Sequence, residues 1–123
     1  MERAVADYED TLRKLSVRDN DCIERLLAQE ANEAASRLDG KTHALVRVAA
    51  LIAVDAPPPS YMDAIASAQQ WGASSDEIVG CLIAVLPAVG VARVVSAAPK
   101  VGLALGYDVD AALESPLRIA PDS

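Results

Sequence analysis

The stretch from Ile78 to Tyr107, IVGCLIAVLPAVGVARVVSAAPKVGLALGY, runs thirty residues with two charged side chains, Arg93 and Lys100. A helix that is apolar all the way round needs cover on every side, and a chain of 123 residues has too little of itself to supply it. Assembly into a homo-oligomer is therefore the first expectation. Most of the stretch is Ala, Val and Gly, which bring backbones close together but carry no catalytic chemistry of their own. A membrane span is not expected, because only 15 uncharged residues precede Arg93 where a span needs about 20, and Pro87 interrupts them.

The length suits one domain with a single core. Apolar residues make up 52% of the chain, with no Phe, one Trp and three Tyr, so the core must be aliphatic and small, a composition that favours closely packed helices. A net charge of −7 without a basic patch argues against nucleic acid and against an anionic membrane surface. Residues 1–42 hold 17 charged side chains against 12 in the other 81, so the N-terminal third reads as solvated amphipathic cover for an apolar remainder. The first twenty residues alternate charge with apolar positions and contain no hydrophobic run, so no secretion signal is expected and the chain is placed in the cytoplasm. In that compartment Cys22 and Cys81, far apart and without a Cys-x-x-Cys partner, read as free buried thiols.

Taken in order, Val5, Tyr8, Leu12 and Leu15 step by 3, 4 and 3 along one face of a first helix. Asp19 or a near neighbour is placed to cap a second helix with Ile23, Leu27, Ala31, Ala34 and Leu38 in one stripe. Asp39 caps a third, apolar from Ala44 to about Val54 except at Arg47. Pro57, Pro58 and Pro59 end it, and Pro59 can open a fourth helix that runs to Trp71 and stops at Gly72. Ser74 and Glu77 form a capping box for the next helix, and Asp76 and Glu77 suit its positive end. Pro87 should break or kink that helix, Gly90 restarts it, and Pro99 should end or kink the restarted piece near Ala98, leaving a short helix to about Leu105. Asp108 caps a final turn through Leu113, and the tail from Pro116 to Ser123 reads as frayed. The expected architecture is all-α, a single-domain bundle of about six helices, with an N-terminal extension over 1–35, a core over 36–107 and a C-terminal turn and tail over 108–123.

The order of these pieces resembles the carboxymuconolactone decarboxylase family, which includes the alkylhydroperoxidase-D-like proteins. The matching residues are Leu38, Asp39, Lys41 and Thr42 at a helix entry, Ala68 and Gly72 in an A-x-x-x-G, Asp76, Glu77 and Ile78 at the cap, and Gly90 with Ala97 in the second half. They cover about residues 36 to 107. The resemblance implies an alkylhydroperoxidase-D-like fold and a homo-trimer or hexamer. Redox members of that family carry a Cys-x-x-Cys-x-x-x-His run, and counting back from Gly72 places Pro57, Ser60 and Ala64 at its two cysteines and histidine. The family's glutamate falls on Ala44 or Leu45, neither of which can transfer a proton. Thiol peroxidase chemistry needs a thiolate, which neither Pro57 nor Ser60 supplies, so the motif is empty and only the scaffold is matched.

Few residues remain as candidates. His43, the sole histidine, has no Cys or carboxylate at ligand spacing, so no metal site is expected, nor any cofactor. It reads as a surface or capping histidine, with an acid/base role as the functional alternative because imidazole titrates near neutrality. Arg47 and Arg93 each stand alone in apolar sequence, and a buried guanidinium needs a carboxylate or a bound anion. The structural reading pairs them with Asp55, Asp63 or Asp76; the functional one makes them the binding site of a small carboxylate. Lys100 falls seven residues after Arg93, but Pro99 lies between them. Trp71 reads as a core or interface anchor. Ala84, Ala88, Ala92 and Ser96 repeat every four residues as a small-residue seam for an oligomer contact.

Together these features lead to the expectation of a small-molecule-binding or scaffold homo-oligomer that keeps the family's fold without its chemistry. The alternative is a cofactor-independent decarboxylase or lyase acting on a small carboxylate or lactone, with His43 moving a proton beside Arg47 or Arg93.

Overall fold

Apolar residues spaced by three and four, interrupted by Pro and Gly, leave helices as the only regular elements among the described residues, 3–114 of a computed structural model. They are α1 (Arg3–Ser16), α2 (Asn20–Leu26), α3 (Gln29–Ser36), α4 (Gly40–Ala53), α5 (Pro58–Gln70), α6 (Ser75–Val89), α7 (Val91–Ala104) and α8 (Val109–Leu113). The tail from Pro116 to Ser123 and the first residue of the expected N-terminal helix, Glu2, lie outside the described residues. The chain divides into two compact units between Leu38 and Asp39, so residues 36–38 go with the N-terminal unit rather than with the core.

In the N-terminal unit the expected second helix is two helices. Leu27 caps α2 with helical φ −78° and ψ −21°, Ala28 leaves helical geometry at φ −74° and ψ 133°, and the Asn32 side-chain amide donates to the Leu26 carbonyl at 2.9 Å. A side chain thereby takes a carbonyl that a continuous helix would pair with its own backbone, the competition that makes Asn a helix breaker. Asp19 caps α2 as expected, accepting from the Cys22 N–H at 3.0 Å.

The second unit packs α4 against α5 and α6, and α7 against α5 and α6. Val48 and Ile52 of α4, Tyr61 and Ile65 of α5, Ile78 of α6 and Val101 of α7 are at most 1% exposed and form its centre. The expected caps are present here. Asp39 accepts from the Thr42 N–H at 2.8 Å, and Ser74 and Glu77 form the reciprocal box at 3.1 and 2.9 Å. Helix α5 starts one residue before the expected Pro59, with Pro57 as its N-cap and two prolines in its first turn.

Neither proline breaks its helix. Pro87 lies inside α6 and Pro99 inside α7, and the break between the two helices falls at Gly90, with φ 93° and ψ 161°. Each proline lacks the N–H that would reach four residues back, to the carbonyls of Ile83 and Val95. Both of those residues are on the exposed side, where water can replace the missing donor. Trp71 is not a core residue: it is 53% exposed, with its indole so close to Gly40 that an added Cβ there would lie 2.2 Å from the ring. No described helix is long and apolar enough to cross a membrane.

Candidate functional site

The polar constellation with most partners gathers on Asp55. Helix α4 ends with Asp55 at φ 57°, and the Asp55 and Ala56 N–H groups reach back to the carbonyls of Ile52 and Leu51 at 3.2 and 3.1 Å. This six-to-one turn normally uses glycine, and Asp is one of the few other residues that tolerates the left-handed region. The turn aims the carboxylate at one face of α7, where Arg93, Ser96 and Lys100 recur at i, i+3 and i+7. Ser96 Oγ donates to Asp55 Oδ1 at 2.7 Å, and Lys100 Nζ donates to the same oxygen at 3.3 Å and to the Ala56 carbonyl at 2.9 Å. Arg93 Nη1 lies 3.8 Å from Asp55 Oδ2.

The Ser96 hydroxyl, and then Lys100, hold the Asp55 carboxyl below the ordinary carboxylate range. Two cations therefore face one carboxylate, an arrangement that leaves one positive charge for an anion. Lys100 is the more enclosed cation, 23% exposed against 48% for Arg93. On α5, Tyr61 is fully buried and its hydroxyl has no hydrogen-bond partner among the described residues. Burial, then the Asp55 charge, pushes the phenol up from its usual value, so it stays protonated.

The remaining candidates are dispersed. Arg93 is half-exposed beside Asp55, one of the three carboxylates considered for it, whereas Arg47 is half-buried on α4 with no ion pair among the described residues. His43 is not a surface residue: it is 6% exposed in the first turn of α4, and its backbone N–H bonds the Asp39 carbonyl. Pro57 is the N-cap of α5 and its carbonyl accepts from the Ser60 N–H at 3.1 Å, and Ala64, where the family histidine would stand, is 1% exposed in the apolar core. The small-residue seam runs over two helices. Gly90 parts Ala84 and Ala88 on α6 from Ala92 and Ser96 on α7, and Ser96 spends its hydroxyl on Asp55.

Both cysteines are free and buried. Cys81 Sγ donates weakly to the carbonyls of Leu45 and Glu77 at 3.6 and 3.7 Å, and burial pushes its thiol up, away from thiolate reactivity. At the other end of α4, Lys41 Nζ meets Glu77 Oε2 at 3.0 Å. The Ser74 backbone N–H, then Lys41, lowers the Glu77 carboxyl. Among the described residues no group of histidine, cysteine and carboxylate side chains is placed to hold a metal ion.

Sequence reasoning named Asp55 as one of three possible partners and discounted Lys100 because of Pro99. It missed Ser96 as a ligand of the carboxylate. The signal was available in the i, i+3, i+7 spacing of Arg93, Ser96 and Lys100, once α7 runs through its proline. Compared with known protein families, curated proteins and solved structures, the chain matches none.

Proposed function

We propose that this chain is a carboxymuconolactone-decarboxylase-like helical protein without that family's thiol and histidine chemistry, acting as a homo-oligomeric scaffold that holds a small carboxylate. The observation that carries the reading is the outer face of α6. Val79, Ile83 and Leu86, spaced by four and three, stand 39, 69 and 38% exposed, and no charge occurs between Glu77 and Arg93. Single exposed apolar residues need no explanation, but an uncharged helical row with Ala84 and Ala88 beside it has the character of an obligate subunit interface. A second copy is the occupant that suits it, because two uncharged faces meet without stranding a charge. The alkylhydroperoxidase-D-like assembly implied by the resemblance, a trimer or hexamer, is the arrangement we assign.

The carboxylate belongs at Arg93 and Lys100, where one positive charge exceeds what Asp55 offsets. Native mass spectrometry of the protein as purified tests both parts. The expected result is a multimer, reduced in order by Ile83→Glu, that retains a small acid lost on Arg93→Ala. A monomeric parent, or hydroperoxide reduction that depends on Cys22 or Cys81, would overturn the reading.

A further inference from the structure

Helices α1 and α3 of the N-terminal unit both pack on α2 and leave a cleft between them. It consists of two hollows of about 720 and 360 Å³ that share Asp10, Thr11, Ala35 and Ser36 as walls. Both volumes fall in the range of about 300–1,000 Å³ usual for small-molecule sites. The charges around the cleft are sorted. Acidic residues outnumber basic ones between Tyr8 and Leu38, yet the described walls take Lys14, Arg25 and Arg37 from the basic set and Asp10 alone from the acidic one. Asp10 is already met by Arg13 and, at 3.1 Å, by Lys14. Arg25 has no ion pair among the described residues. An acidic unit thus keeps a surplus of positive charge along one cleft, next to the apolar side chains of Tyr8, Leu12 and Leu26. Cys22 of α2 also lines the smaller hollow; it is 5% exposed and free.

We infer that this cleft binds a small amphipathic anion, a carboxylic or sulfonic acid on an aromatic or short aliphatic body, with its acid group beside Arg25 and its body against Tyr8 and Leu12. A neutral molecule would gain the apolar contact without the charge, and an inorganic anion the charge without the apolar contact. A ligand that carries both is the one the walls select. The site is separate from Arg93 and Lys100, which belong to the other unit, and does not depend on them.

Fluorescence titration of the full chain with anilinonaphthalene sulfonate, an aromatic body carrying one acid group, tests the inference. Saturation at one probe per chain is expected, with phenylnaphthylamine, the same body without the acid, binding about tenfold more weakly. Arg25→Glu should weaken the sulfonate by about tenfold, the worth of one charge-assisted hydrogen bond, whereas Arg25→Lys should keep most of the binding. Arg25 is exposed, so neither variant disturbs packing. A readout on the parent chain needs no variant at all: bound probe should slow alkylation of Cys22, followed peptide by peptide, with Cys81 of the other unit as the reference. Equal affinity for the neutral body, unchanged binding to Arg25→Glu, or a Cys22 that the probe does not protect overturns the inference. So does loss of binding on Arg93→Ala or Ile83→Glu, which would put the probe at the Asp55 constellation or on the α6 face.

Discussion

The two units are both built from helices and differ in what the apolar side chains meet. Helices α4 to α7 bury Val48, Ile52, Tyr61, Ile65, Ile78 and Val101 almost completely, whereas α1 to α3 bury Cys22 and leave Tyr8, Leu12 and Leu27 more than half exposed. The turns differ in the same sense. The C-terminal unit places Gly72, Gly90 and Gly106 at positive φ, with Asp55 the one non-glycine exception among its described residues, while the N-terminal unit places Arg18 and Arg37 there. A 3.6-residue period thus announces that a face needs cover without saying whether the chain supplies it. Helical stability in proteins comes mainly from that cover rather than from propensity.

The sharpest way to break the contrast is to remove a side chain from each unit. Ile65→Ala takes a fully buried branch from α5 and should cost about 3 kcal/mol, the usual range for such a deletion being about 2–5 kcal/mol. Leu27→Ala, at a residue 77% exposed, should change stability by less than about 0.5 kcal/mol. Chemical denaturation of both variants decides it, and equal losses would mean that the N-terminal unit has an interior after all.

Acid should separate the units next. Asp39, Asp55 and Glu77, all in the C-terminal unit, have carboxyls held below their ordinary values of 3.8, 3.8 and 4.5. The Thr42 backbone N–H is the main cause at Asp39, the Ser96 hydroxyl at Asp55 and the Ser74 backbone N–H at Glu77. Between the ordinary and the lowered values the unfolded chain binds more protons, so stability rises with pH across that window. The stabilisation is fully present above the ordinary values and is lost as pH falls through them to the lowered ones. Thermal melts across that window should show Asp55→Asn flattening the acid-side slope; an unchanged slope would remove Asp55 from the account.

How much of this was legible follows the same division. The caps at Asp19, Asp39 and Ser74 were readable because a cap is a local bargain between one side chain and an N–H three residues on. The end of α4 at the Pro57 to Pro59 run was readable for the same reason. The continuity of α6 and α7 through Pro87 and Pro99 was not, because it depends on whether the freed carbonyl of Ile83 or Val95 faces water, a fact of tertiary position. The burial of His43 escaped for that reason too. Asp55 meets Ser96 and Lys100 across more than forty residues, and only the packing of α4 against α7 brings them together.

The buried phenol of Tyr61 offers a smaller test within the better-packed unit. Its hydroxyl is fully enclosed without a partner among the described residues, a condition that typically costs about 1–3 kcal/mol. Tyr61→Phe keeps the ring and removes the unpaired group, so stability should hold or rise by about 1 kcal/mol. A loss instead would mean that the hydroxyl is paired in solution.

The smallest expected effect is also the one that compares the units most directly, because Arg18 and Asp55 have nearly the same backbone, φ 58° and 57°. Both sit in six-to-one turns: the Asp19 N–H bonds the Lys14 carbonyl at 2.9 Å, as the Ala56 N–H bonds that of Leu51 at 3.1 Å. Left-handed geometry costs an L-residue about 1–2 kcal/mol, and the greater freedom of glycine in the unfolded chain takes back about half of that. Arg18→Gly should therefore stabilise α1 by about 0.5 kcal/mol, read as slower amide exchange in its last turn. Asp55→Gly relieves the same backbone yet removes the acceptor of Ser96 and Lys100, and leaves Lys100 with only the Ala56 carbonyl. It should destabilise the protein, so that one substitution at one backbone geometry carries opposite signs in the two units. Two gains of equal size would show that the Asp55 constellation contributes nothing to holding α4 against α7.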